Sequence, residues 1–176
     1  IPSREEYRIL LDAIANLDGR ASQSSNLIQL LALSGMRLGE ATRIVWREID
    51  FEKEQFTVSG GDVGTKNGEV RTVPLFPSLR TFLEVLNNPN LPNSTDRIVS
   101  IDSTKSALAS ASKQAGLPQF THHSFRHFFV SNAIEVGVDF KTIAAWIGHK
   151  DGGMLVAKTY GHLRSTHSNN MAALMK

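Results

Sequence analysis

At 176 residues, 41% hydrophobic and 20% charged, the chain suits one domain with a core of its own. No apolar run approaches the about 20 residues of a membrane-spanning helix, and with no cysteine disulfides, thiolate catalysis and cysteine-held zinc are excluded. A net charge of +2 names no partner by itself, so the placement of the basic groups matters more than their sum.

In chain order, Ser3 and Glu6 form a capping-box signature. Tyr7, Leu10, Leu11, Ile14 and Leu17 follow at helical spacing, predicting a first amphipathic helix that Asp18-Gly19 ends. Leu27 to Leu33 is apolar on almost every side and predicts a buried second helix. It stops at Ser34-Gly35, and a short helix restarts near Leu38. Phe56 and Val58, then Val70, Thr72 and the end of Val73-Pro74-Leu75, alternate with polar neighbours as paired strands. Asn67-Gly68 is a tight-hairpin signal between them, which puts Lys66 at a hairpin tip. Ser78–Leu86, Ser103–Ala115, His122–Val136 and Phe140–Ile147 predict further helices, the last three closed by Gly116, Gly137 and Gly148. Asn87–Asp96 reads as a polar loop, and Ser165–Lys176 as a candidate final helix. The expected class is α+β: one mainly helical domain with a small antiparallel sheet.

The chemistry-bearing residues are scattered. In His122–Phe129, helical geometry sets Phe125, Phe128, Phe129, Ala133 and Val136 on one face and His123, Arg126 and His127 on the other. With Thr121 or Ser124 as cap, those polar groups stand near the positive end of a helix, where anions bind. His123 and His127 have zinc-ligand spacing. However, Ser124 stands where a zinc protease has Glu, and Arg126 between them repels a dication. Arg37 lies between Gly35 and Gly39, with Glu40 placed to orient it. His149 follows a helix end. Tyr160 is flanked by Lys158, Gly161 and His162 in a polar, mobile setting. Singly, each has a plain structural reading: a surface ion pair, a turn lysine, a capping histidine, a buried aromatic.

Together and in this order, these motifs resemble the tyrosine recombinases of the phage integrase family, from Ser3 to about Leu163. They are Arg37 in Ser-Gly-Met-Arg-Leu-Gly-Glu, Lys66 in Thr-Lys-Asn-Gly followed by Arg71-Thr72-Val73-Pro74-Leu75, His123 and Arg126 in His-Ser-Phe-Arg-His, His149 in Ile-Gly-His, and Tyr160. The stretch from His149 to Tyr160, with Asp151-Gly152-Gly153, is longer than the commonest family pattern.

The resemblance implies a site-specific recombinase or integrase that cuts and rejoins duplex DNA through a 3′-phosphotyrosyl intermediate, without metal, ATP or cofactor. Tyr160 would be the nucleophile, Arg37 and Arg126 the phosphate clamp and His123 the base. Lys66 would be the general acid, and His149 a hydrogen-bond donor to phosphate or tyrosine. Glu40, His127 and His162 are expected as supporting residues, and Arg71, Lys150, Lys158 and Arg164 as phosphate contacts that position DNA.

Residues 1–176 would then be the catalytic domain alone, without the family's amino-terminal DNA clamp. The opening Ile1 reads as a fragment or processed product. The expected partners are duplex DNA at a recombination site and further copies of the chain in a tetramer, docked through Met171, Leu174 and Met175. The expected setting is a bacterial cytoplasm, with a phage or mobile element as source. Three readings compete: a type IB topoisomerase, a DNA-binding module without activity, and a metal-dependent hydrolase built on the six histidines.

Overall fold

The computed structural model describes residues 1–17, 19, 21–59, 70–87 and 95–160. Eight helices and a small sheet surround a continuous core among these residues. Helix α1 (Arg4–Ala15) starts on the expected capping box: Ser3 Oγ accepts from the Glu6 amide, and the Ser3 amide donates to Glu6 Oε2. Its Leu10 and Ile14 are buried. Tyr7 lays its ring against Phe125 and Phe128 of α6 (His122–Glu135), with centroids 6.3 and 4.8 Å away. Helix α2 (Ala21–Ser34) begins earlier than its apolar run, because the first turn is polar and carries no periodic signal. It is the central helix, touching α1, the short α3 (Leu38–Ala41), α4 (Pro77–Leu86) and α6.

A 3-10 turn (Trp46–Glu48) leads into β1 (Ile49–Asp50), which pairs antiparallel with β2 (Gln55–Val58); β2 pairs in turn with β3 (Arg71–Pro74). The inward face of this last stretch is the opposite of the expected one. Val73 and Leu75 are buried while Val70 and Thr72 face out, so Arg71 shares the inner face.

Helix α5 (Lys105–Gln114) packs on α1. Helix α6 differs from its expected two-faced pattern: Arg126 is buried with the phenylalanines, and Val136, just beyond the helix, is 75% exposed. Helix α7 (Phe140–Ile147) has the expected bounds, opened by the Asp139 carboxylate on the Thr142 amide and closed by Gly148 in the left-handed conformation at φ 70°.

A further helix, α8 (Met154–Tyr160), was not expected. The Asp151 carboxylate accepts from the amides of Gly153 and Leu155 and so caps its start. Val156 and Tyr160 join a second core cluster with Phe129, Val130, Ile143 and Ile147 of α6 and α7. Tyr160 is therefore not in a polar, mobile setting but 5% exposed at the end of a packed helix. Among the described residues no helix is long and apolar enough to cross a membrane.

Candidate active site

The site forms where α7 ends. An α-helix leaves its last carbonyls without intrahelical donors and carries partial negative charge there. Here three consecutive carbonyls meet three arginines from distant parts of the chain. Arg71 Nε donates to the Trp146 carbonyl at 2.8 Å, Arg126 Nη2 to Ile147 at 2.7 Å, and Arg37 Nη2 to Gly148 at 3.3 Å. Arg126 also donates through Nη1 to the Gly35 carbonyl at 2.7 Å and is 4% exposed. Burial first, and then the charge of Arg37, draw its pKa down to about 9, which leaves it charged at neutral pH.

Glu40 lies among these guanidiniums and is 4% exposed. Arg71 grips it with both terminal nitrogens, Nη1 to Oε1 at 3.0 Å and Nη2 to Oε2 at 2.8 Å. Arg37 adds its main-chain amide at 2.9 Å and Nη1 at 3.2 Å. Burial raises the Glu40 pKa, but the hydrogen bonds and charge of Arg71, with those of Arg37, outweigh it and hold the carboxyl ionised. Three cations against one anion leave an excess positive charge suited to a phosphate.

The histidines and the tyrosine complete the surroundings. A cavity of about 510 Å³ is lined by Arg37, His123 and Arg126 together with Met36, Thr121 and His122. A second, of about 250 Å³, is lined by His123, Arg126, His127, His149, Thr159 and Tyr160. His123 and Arg126 border both, so Arg126 lies between the cavity of Arg37 and that of Tyr160. The His127 ring stands 4.2 Å from that of His123, nearly perpendicular, and 5.4 Å from that of Tyr160.

Desolvation, then Arg126 and Arg37, push the His123 pKa below its usual value, favouring the neutral imidazole a base requires. Burial, then His123, bring His127 down to about 4. His149 is lowered by burial, Arg126 and Arg37, with Asp151 pulling the other way. Its Nδ1 is buried without a hydrogen-bond partner among the described residues. His122, not singled out in the sequence, receives the Thr104 amide on Nε2 at 3.0 Å and ties α6 to the start of α5.

The structure thus gathers Arg37, Glu40, His123, Arg126, His127, His149 and Tyr160. Lys66, His162 and Arg164 lie outside the described residues, as does the tail from Ser165. Lys158 is exposed on α8, and Lys150 is exposed just after α7. Arg71 departs from expectation. Read as a DNA contact, it instead points inward and spends three nitrogens on protein acceptors. The period-two spacing of Arg71, Val73 and Leu75 carried that signal. Sequence reasoning also missed the main-chain acceptors at Gly35 and Trp146–Gly148, which no side-chain motif announces. Among the described residues no group of His, Asp or Glu converges to hold a metal ion.

Comparison with known proteins gives the family and the fold. The model of the phage integrase family matches residues 3–167. Tyrosine recombinase XerC of Alcanivorax borkumensis is 28% identical over 170 residues, covering 90% of this chain and 54% of that protein. The chain spans about half the length of the curated relatives it matches. Among solved structures, the Tn1549 transposon integrase in complex with circular intermediate DNA superposes with a TM-score of 0.73 at 17% identity, covering 99% of this chain and 66% of that one. The catalytic domain of bacteriophage HP1 integrase gives a TM-score of 0.70 at 18% identity, covering 99% and 94%.

Proposed function

Because the chain belongs to the phage integrase family, we propose that it is the DNA-cleaving and rejoining unit of a site-specific recombinase. The observation that carries this reading is the pair of cavities that share His123 and Arg126, one lined also by Arg37 and the other by His149 and Tyr160. The near-complete coverage of a solved integrase catalytic domain supports taking residues 1–176 as the catalytic unit.

In the proposed reaction the Tyr160 phenolic oxygen attacks a DNA phosphorus, the bond to the 5′-oxygen breaks, and a 3′-phosphotyrosyl link forms. A free tyrosine holds its proton until a pH of about 10, so a neutral imidazole lining the same cavity, His123, accepts that proton. Lys66 returns a proton to the departing 5′-oxygen, and His149 donates to a phosphate oxygen. Arg37 and Arg126 stabilise the charge that grows on the equatorial oxygens, and losing one such fixed donor typically costs about 10²–10³ in rate. The phosphoester energy stays in the enzyme link, so a second 5′-hydroxyl reverses the step without ATP. Positive charge comes from side chains, so the step proceeds without a metal ion.

Tyr160 is 5% exposed. Assembly of four copies on paired sites belongs to the same proposal, with Lys150 and Lys158 against the DNA backbone.

The test is a nicked suicide duplex incubated in EDTA, followed by mass spectrometry of the tryptic peptide that holds Tyr160. Wild-type protein should carry the oligonucleotide, and Tyr160→Phe should not. Protein that binds the duplex but never forms the link would make it a binding module. Relaxation of supercoils without exchange between paired sites would make it a topoisomerase.

A further inference from the structure

We infer that Arg71 is a positioning residue of the phosphate site, acting through Glu40 on Arg37 rather than on DNA; the inference rests on the DNA-cleaving reading of that site. Arg71 opens β3 opposite Val58. Its side chain is only 13% exposed. The planar guanidinium meets the Glu40 carboxylate face on, in two parallel hydrogen bonds, while Nε takes the Trp146 carbonyl.

That double attachment fixes both the place and the rotation of Glu40. The same carboxylate oxygens then receive Arg37, one through its amide and the other through Nη1. Arg37 keeps a 30% exposed side chain facing the cavity. Arg71 is thus two contacts removed from any ligand, and Arg37 is the group that touches it.

A second observation is independent of these hydrogen bonds. A Cβ at Gly148 would come within 2.9 Å of Arg71 Nη1. The close of α7 is therefore open at the point where Arg71 passes, and the next residue in the chain is His149. One guanidinium thereby references β3, the Arg37 segment and the His149 segment to each other. Lysine cannot replace it, since an ammonium is a point charge without the planar fork.

The experiment uses the 176-residue chain and two readouts. The first is single-turnover cleavage of the suicide duplex at saturating DNA, with DNA affinity measured across salt concentrations. Arg71→Lys should leave the salt slope of DNA affinity unchanged and slow cleavage about 10²-fold, the scale of a misplaced reacting group. Lysine keeps the charge, so the salt slope is also read on Arg71→Gln: a DNA-backbone role predicts equal cleavage at saturation and a slope reduced by about 0.9, whereas the positioning role predicts slow cleavage and an unchanged slope.

The second readout needs no cleavage. Inorganic phosphate is titrated against the Nε–Hε signals of Arg37 and Arg126 by ¹⁵N NMR. Arg71→Lys should weaken phosphate about tenfold or more. Glu40→Gln keeps the packing volume and removes the charge, so it carries the test if the lysine variant does not fold. Where both fold, the double variant should be no worse than either single one, because they interrupt one chain of contacts.

Wild-type protein that takes phosphate but forms no tyrosine link would sink the recombinase reading, while the titration decides Arg71 by itself. Wild-type phosphate affinity in Arg71→Lys, or additive losses in the double variant, would overturn the positioning role.

Discussion

Gly35 is where stability and site geometry depend on the same atoms. Its φ is +67°, and an added Cβ would lie 2.4 Å from Cδ1 and 2.8 Å from Cε1 of Phe129. The left-handed conformation costs a non-glycine residue about 1–2 kcal/mol. The ring has little room to yield, since Phe129 is buried with Phe76 5.3 Å away and Trp146 6.5 Å away, and overpacking of this kind costs about 1–3 kcal/mol. Gly35→Ala should therefore destabilise the fold by about 2–5 kcal/mol.

The Gly35 carbonyl also anchors Arg126, so any relief by backbone movement should weaken phosphate binding as well. Urea unfolding followed by tryptophan fluorescence measures the loss, and a Phe129→Ala background separates its parts. Without the ring, the same substitution should cost only the backbone share of about 1–2 kcal/mol. An equal cost in both backgrounds, or a loss below about 0.5 kcal/mol, would refute the reasoning.

Glu40→Ala should cost about 3–5 kcal/mol in urea unfolding, because it leaves Arg71 and Arg126 buried beside Arg37 without their carboxylate. Gly148→Ala should add about 1–2 kcal/mol of strain at φ 70° and, by displacing Arg71, reproduce the weakened phosphate titration of Arg71→Lys. His122, His123, His127 and His149 all have pKa values lowered in the fold, His127 to about 4. The unfolded chain then binds protons first, so their contribution is complete above about pH 6.5 and is lost as pH falls toward the folded values. The urea midpoint should decline from pH 7 to pH 5, and a flat profile would contradict these assignments.

Local signals were legible in the sequence where local physics decides them. The Ser3–Glu6 capping box, the helix ends at Gly35 and Gly148, and the bounds of α7 follow from hydrogen bonding and backbone freedom within a few residues. Arg37, His123, Arg126, His149 and Tyr160 were singled out by motif order, and they line two cavities that share His123 and Arg126. The failures are non-local. Periodicity assigns charged residues to the outside, but Arg71 and Arg126 go inside because carbonyls far along the chain are waiting for them. Helix α8 was missed because it is short, its first residues Met154 and Leu155 are exposed, and its anchors Val156 and Tyr160 find their partners on other helices.

If the site holds a phosphate as proposed, it must also hold its own charges apart when no phosphate is present. Arg37, Arg71 and Arg126 converge with a single carboxylate among them, and three like charges in a partly buried space repel strongly. The C-terminal end of α7 answers this without a second acid. Its last carbonyls are polar groups that need donors, and they sit at the negative end of the helix dipole. Each arginine satisfies one of them. A second carboxylate would halve the excess charge and compete with the ligand, whereas carbonyls stabilise the guanidiniums and leave their formal charge in place. The excess positive charge that remains is what would attract an anionic phosphodiester in the proposed reaction. On this reasoning an added carboxylate is worse than a lost hydrogen bond: Thr121→Glu, exposed at the wall of the larger cavity, should abolish the phosphate response of Arg37, whereas Thr121→Gln should retain it.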